Sequence, residues 1–262
     1  MGKKALGQHF LSDPRILARI ADALEPGEQE TVLEIGPGRG TLTEALQARV
    51  TRLVAIEKDR ELVPQLRSRF PAVNIVEGDA LELDWHALAG PAPFSVIGNI
   101  PYYITSPLID KALTPPRPRA IVFLVQKEVA DRVAAPPGGA DYGALSVGVQ
   151  AVARVERLFK VSAGAFSPPP KVDSAVLRLT PSQSPLIADA DIGPFRRLVV
   201  GMFSFRRKQV IRGLREFTER PAEQVRRWLV AANIEESQRP QAISPQRFST
   251  LFSILKDAGV IT

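Results

Sequence analysis

The chain has 262 residues, 45% hydrophobic and 24% charged, a globular balance that excludes a disordered or fibrous protein and suggests one large domain with a smaller companion. It has no Cys and only two His, His9 and His86, which excludes disulfides and Cys nucleophiles and argues against a metal site or a hydrolase triad. The net charge of +6 is uneven, with 13 Lys/Arg against 8 Asp/Glu in residues 185–262, so that region either meets a polyanion or presents a solvated surface.

The N-terminal MGKKALGQHFLSDP holds no apolar run of signal length, and no later stretch reaches the roughly 18 apolar residues of a membrane span, which reads as a cytoplasmic protein with no membrane partner. Ser12-Asp13-Pro14 reads as the cap and first turn of a helix over RILARIADAL. Five strands follow: TVLEI (31–35), RLVAIE (52–57), VNIVEGDA (73–80), FSVIGN (94–99) and AIVFLVQ (120–126). Helices alternate with them at TLTEALQARV (41–50), RELVPQLRSRF (60–70, interrupted at Pro64), TSPLIDKAL (105–113) and KEVADRVA (127–134). This rhythm predicts an α/β fold with a parallel, doubly wound, Rossmann-like sheet.

After the loop PPGGADYG (136–143), ALSVGVQAVA reads as a helix, and RVERLF and DSAVLRL as closing strands around GAFSPPPKV. TPSQSP (180–185) has linker composition, and PFRRLVVGMF, QVIRGLREF, EQVRRWLVAAN and PQRFSTLFSILKDAG are helical. The expected domains are therefore 1–180, α/β, and 181–262, small and all-α.

Gly36, Gly38 and Gly40 stand where the first strand turns into a helix, in G-x-G-x-G rather than dinucleotide spacing. Glu57, 21 residues after Gly36, closes the second strand, where a carboxylate accepts the two hydroxyls of a ribose. Asp79, at the end of the third strand, is placed to accept from the amine of an adenine. Together they describe a site for an adenosine-bearing cofactor; the alternative is that Glu57 and Asp79 only cap the helices after them.

IGNIPYY puts Asn99, Pro101 and Tyr102 at the same carboxyl edge. An adenine amine is a weak nucleophile because its lone pair is delocalised, and acceptors such as Asn99 Oδ1 and the Ile100 carbonyl activate it by drawing on its hydrogens. Tyr102 offers a face for a base taken out of its stack, and Phe166 either offers the opposite face or belongs to the core. Tyr103 reads as packing. The basic run 196–215, which includes Arg206, Arg207 and Lys208 and has no acidic residue, is the candidate RNA contact. The residues select adenine more sharply than they select RNA over DNA.

In sequence order, GQHFL (7–11), EIGPGRGTLT (34–43), Glu57, GDAL (78–81), NIPY (99–102) and FSPPPKVDSAV (166–176) resemble the ribosomal RNA adenine dimethyltransferases along almost the whole chain. QKEVADRV (126–133), YGALSV (142–147) and FSFRRKQVIRGL (203–214) resemble the small-subunit KsgA/RsmA branch rather than the Erm macrolide-resistance branch. The resemblance implies a class I methyltransferase domain, S-adenosyl-L-methionine as cofactor, a monomer, and dimethylation of two adjacent adenosines near the 3′ end of small-subunit ribosomal RNA within its particle. It carries cofactor contacts onto His9, Leu11, Gly36, Gly38, Glu57, Asp79 and Asn99, and the target base onto Asn99, Tyr102 and Phe166. His9 stands where the family commonly has Asn, and an imidazole still makes one hydrogen bond there.

Overall fold

Asp13 starts the first helix: its carboxylate accepts the N–H groups of Arg15 at 2.9 Å and Ile16 at 3.4 Å, and Pro14, which has no N–H to satisfy, takes the first position. A computed structural model describes residues 9–261, so Gly7 and Gln8 of the GQHFL block lie outside the described residues. The first half runs β1 (Phe10–Leu11), α1 (Pro14–Asp22), β2 (Thr31–Ile35), α2 (Thr41–Gln47), β3 (Arg52–Glu57), α3 (Val63–Arg69) and β4 (Asn74–Glu77). It continues α4 (Trp85–Ala89), β5 (Phe94–Asn99), α5 (Thr105–Ala112), β6 (Ile121–Gln126), α6 (Lys127–Ala134) and α7 (Ala144–Gln150). Three further strands follow, β7 (Ala153–Val161), β8 (Phe166–Ser167) and β9 (Ser174–Pro181), and then α8 (Ile192–Ser204), α9 (Val210–Thr218), α10 (Ala222–Ala231) and α11 (Pro245–Asp257).

Among the described residues the main sheet has seven strands in the order β4-β3-β2-β5-β6-β9-β7. The pairs from β4 through β6 are parallel, and β9 runs antiparallel to β6. Every residue of β2 is buried, as expected for a central parallel strand covered on both faces. Because β3 lies on one side of β2 and β5 on the other, the chain reverses direction across the sheet there, and the carboxyl ends of β2 and β5 form the crevice where such sheets take ligands. Gly98 is needed in that crevice, since a Cβ on it would stand 2.5 Å from the Ile35 carbonyl oxygen.

Two local expectations change: Pro64 does not interrupt a helix, and the strand expected over 73–80 ends at Glu77, before Asp79. Pro64 lies in the first turn of α3, where a missing N–H costs nothing, so it begins the helix rather than interrupting it. The short pair β1–β8, with Leu11 opposite Phe166, was not expected, nor was α4, which Asp84 caps.

Contacts group the chain into one unit of residues up to 130 with 155–181, and another of 131–154 with residues from 182 onward. The division expected from the linker shares the cut near 181 and differs in where it places 131–154. Within the second unit, Tyr142 is buried and its hydroxyl donates to the Ile243 carbonyl at 2.8 Å. Phe195 meets Phe252 edge-on in the same core.

Candidate active site at the carboxyl edge of the sheet

Gly36, Gly38 and Gly40 have φ of +66°, +58° and +79°, a region that other residues seldom enter, so the turn from β2 into α2 depends on glycine. Two bonds fix this turn against β3: Gly36 N–H donates to the Ile56 carbonyl at 2.9 Å, and Gly38 N–H to Glu57 Oε2 at 2.9 Å. Glu57 Oε1 accepts from Asp59 N–H at 2.8 Å. The carboxylate is 4% exposed, and burial raises its pKa above the ordinary value. Each oxygen is oriented by one backbone donor and keeps a second lone pair, which is the acceptor geometry a vicinal diol requires.

Asp79 stands two residues beyond β4, with Oδ1 accepting from Leu81 N–H at 2.9 Å and Oδ2 2.6 Å from Lys58 Nζ. The Lys58 ammonium is the main cause that holds its carboxyl below the usual range. Neither Glu57 nor Asp79 bonds to a following α-helix; they fix a loop and a turn.

On the other side of the crevice, Asn99 Nδ2 donates to the His9 carbonyl at 3.0 Å. A carbonyl only accepts, so this contact fixes which end of the amide is which and leaves Oδ1 as its acceptor end. The His9 ring bonds through Nδ1 to the Pro168 carbonyl at 2.8 Å, which sets the Nδ1–H tautomer by the same reasoning. That ring stacks on Tyr102 with centroids 5.9 Å apart, and the Tyr102 hydroxyl is 2.9 Å from Ser174 Oγ. The Ile100 peptide is held by its N–H donating to Leu124 at 3.1 Å, and Pro101 follows in extended geometry at φ −55° and ψ 130°.

One cleft is lined by His9, Leu11, Gly36, Gly38, Glu57, Asp79, Asn99 and Tyr102, so the structure brings together the predicted cofactor residues and two of the three predicted base residues. Phe166 is not among the lining residues: it is 5% exposed and packs in the core cluster with Leu11, Leu17 and Ile20, which accords with the core alternative. Arg206, Arg207 and Lys208 belong to the second unit, exposed on the turn between α8 and α9, and Lys208 Nζ lies 2.6 Å from Glu216.

Several lining residues were missed, Glu34 and Lys58 among them. Glu34 is fully buried, accepts from Thr43 Oγ1 at 2.7 Å, and has its pKa raised to about 8, mainly by burial. A charged residue inside the apolar run TVLEI was its signal. Lys58 is at the rim with nothing in its local sequence to mark it, and Tyr103, expected to be packing, is instead 63% exposed at the rim. The cleft therefore offers oriented carboxylate acceptors at Glu57 and Asp79, close backbone approach at the glycines, and a further acceptor group at Asn99 and Ile100.

The ribosomal RNA adenine dimethylase family model matches residues 1–257. A relative named ribosomal RNA small subunit methyltransferase A in Geobacter metallireducens is 44% identical over 98% of this chain and 96% of its own length. The protein of the same name in Geobacillus kaustophilus is 40% identical over 97% of this chain and 90% of its own. Among solved structures, a dimethyladenosine transferase from Plasmodium falciparum superposes with a TM-score of 0.83 at 26% identity, covering 97% of this chain and 99% of that one. The 23S rRNA methyltransferase ErmE superposes with a TM-score of 0.74 at 30% identity, covering 94% and 99%.

Proposed function

Because the chain belongs to the ribosomal RNA adenine dimethylase family, we propose that it uses S-adenosyl-L-methionine to dimethylate the exocyclic amine, N-6, of two adjacent adenosines near the 3′ end of small-subunit ribosomal RNA. It is an rRNA adenine dimethyltransferase acting in ribosome biogenesis. We propose further that it works in the cytoplasm, where ribosomal RNA is its substrate, as a monomer on a small-subunit particle. No helix among the described residues is long and apolar enough to cross a membrane.

The observation that carries the reading is the fixed amide of Asn99, whose nitrogen is committed to the His9 carbonyl and whose oxygen is the acceptor. The cofactor supplies a methyl group on a positively charged sulfur that leaves readily. Gly36 and Gly38 let the backbone approach it, Glu57 receives its ribose, and Asp79 its adenine amine. His9 and Leu11, on the chain segment at β1, close the cofactor cleft from the other side. For the target base, Asn99 Oδ1 and the Ile100 carbonyl accept the amine hydrogens, which frees the nitrogen lone pair from the ring. Tyr102 supplies the stacking face, anchored by its hydroxyl at Ser174 and by the His9 ring. Phe166 supports this arrangement from the core through its pairing with Leu11.

A monomethylated amine still has one hydrogen for an acceptor to hold, and a dimethylated amine has none, so the reaction ends at two methyls. Incubation with methyl-labelled cofactor and small-subunit particles, followed by digestion to nucleosides, should give N6,N6-dimethyladenosine at two neighbouring positions. Monomethyladenosine as the final product, or label preferred in large-subunit RNA or duplex DNA, is incompatible with the proposal.

A further inference from the structure

Lys58 and Asp79 leave the sheet side by side. β3 and β4 are parallel neighbours with Glu57 opposite Glu77, so the residues just beyond their ends face one another across the rim of the cleft. Lys58 Nζ is 2.6 Å from Asp79 Oδ2, while Leu81 N–H holds Oδ1 at 2.9 Å. With a donor on each oxygen the carboxylate cannot rotate, and each oxygen still has a lone pair to offer. The pair is asymmetric: the Asp79 side chain is 18% exposed and that of Lys58 59%, so the acid is largely withdrawn from water and the ammonium is not.

We propose that Lys58 is a positioning residue for the cofactor: it keeps Asp79 an ionised, fixed acceptor, and so sets both the affinity for the adenine amine and the acidity at which that recognition fails. The inference rests on the reading that the adenine lies against Asp79. An amine hydrogen needs an acceptor, and a protonated carboxyl presents a donor at one of its oxygens. Lys58 therefore favours the form that binds. Lys111 on α5 adds positive charge toward Asp79, whereas Tyr103 and Glu82 bear on Lys58. Of these groups only Lys58 hydrogen-bonds the Asp79 carboxylate. Its bond is the main cause of the depressed Asp79 pKa.

The test is calorimetric titration of S-adenosylhomocysteine and of its purine-riboside analogue, which lacks the exocyclic amine, at a series of pH values from neutral down to the acid limit of folding. The proteins are the parent, Lys58→Met, Lys58→Arg and Asp79→Ala. Lys58→Met should weaken S-adenosylhomocysteine by roughly threefold at pH 7, and more as pH falls. Its binding of the amine-free analogue should stay at the parent value, and the acid limb of the S-adenosylhomocysteine curve should move to higher pH. Lys58→Arg should restore that limb, and Asp79→Ala should lose the preference for the amine-bearing ligand. If Asp79→Ala keeps that preference, the placement of adenine fails and the inference with it. If Asp79→Ala loses it while Lys58→Met keeps the parent preference and acid limb, or loses affinity for both ligands equally, the inference alone is overturned.

Discussion

The amide of Asn99 does two jobs at opposite ends, and they cannot be exchanged. Its nitrogen is a donor to the His9 carbonyl and its oxygen is the acceptor end proposed for the target amine, so the chain segment at β1 sets the orientation of a side chain 90 residues away. Removing that acceptor in Asn99→Ala should lower single-turnover methyl transfer by roughly 10²–10³, by analogy with loss of one preorganised donor around a developing charge. Because Asn99 also lines the cofactor cleft, S-adenosylhomocysteine affinity has to be measured alongside. A near-parental rate at saturating cofactor would remove Asn99 from the chemistry. The NIPY spacing made this residue legible in the sequence. The resemblance marked His9 only as a cofactor contact; its part in orienting Asn99 was not legible, because it is played by a backbone carbonyl, which leaves no mark on residue identity.

At the scale of elements, β2 contains a buried ionisable group whose behaviour follows from that burial. Glu34 sits inside β2 with all its neighbours in the strand buried, and accepts from Thr43 Oγ1 in α2. Its folded pKa of about 8 lies above the ordinary value of 4.5, so the folded state holds a proton that the unfolded chain releases between those values. Stability from this group is therefore full below the unfolded pKa, falls as pH rises, and is lost above the folded pKa. Glu34→Gln keeps the size and the contact with Thr43 and removes the titration. Urea midpoints measured from about pH 6 to about pH 9 should fall more steeply in the parent than in the variant, leaving the variant the more stable at the alkaline end. Parallel curves would show that Glu34 stays ionised. The main strands were readable because buried parallel strands are short apolar runs. The pair β1–β8 was not, because two residues carry no periodicity and their partner lies more than 150 residues away. The helix α4 has five residues, too few to show an amphipathic period.

For the whole molecule, the uneven charge seen in the sequence is carried by the second unit, and composition places it there without saying which residues meet RNA. The grouping of residues 131–154 with residues from 182 onward is a return of the chain that a boundary drawn along the sequence cannot express. Within that unit the run Arg206, Arg207 and Lys208 is exposed on the turn joining α8 to α9, where a phosphate backbone has access to side chains unencumbered by helix packing. The three are not equivalent. Lys208 is 2.6 Å from Glu216, so part of its charge is already balanced, and its removal also leaves that carboxylate facing the polyanion. Each phosphate contact releases condensed counterions, so loss of a contact lowers affinity and also flattens the dependence of affinity on salt, by a slope of about one per contact. Replacing all three with Ala should weaken binding to small-subunit RNA and reduce that slope. The double replacement Arg206→Ala/Arg207→Ala should account for most of the change in slope, because Lys208 begins partly neutralised. S-adenosylhomocysteine affinity, measured in parallel, should be that of the parent, since none of these residues lines the cofactor cleft. Filter-binding titrations across a salt series decide the matter: an RNA affinity and a salt slope both equal to the parent's would mean that this run faces solvent, and that the phosphates are met elsewhere on the basic surface.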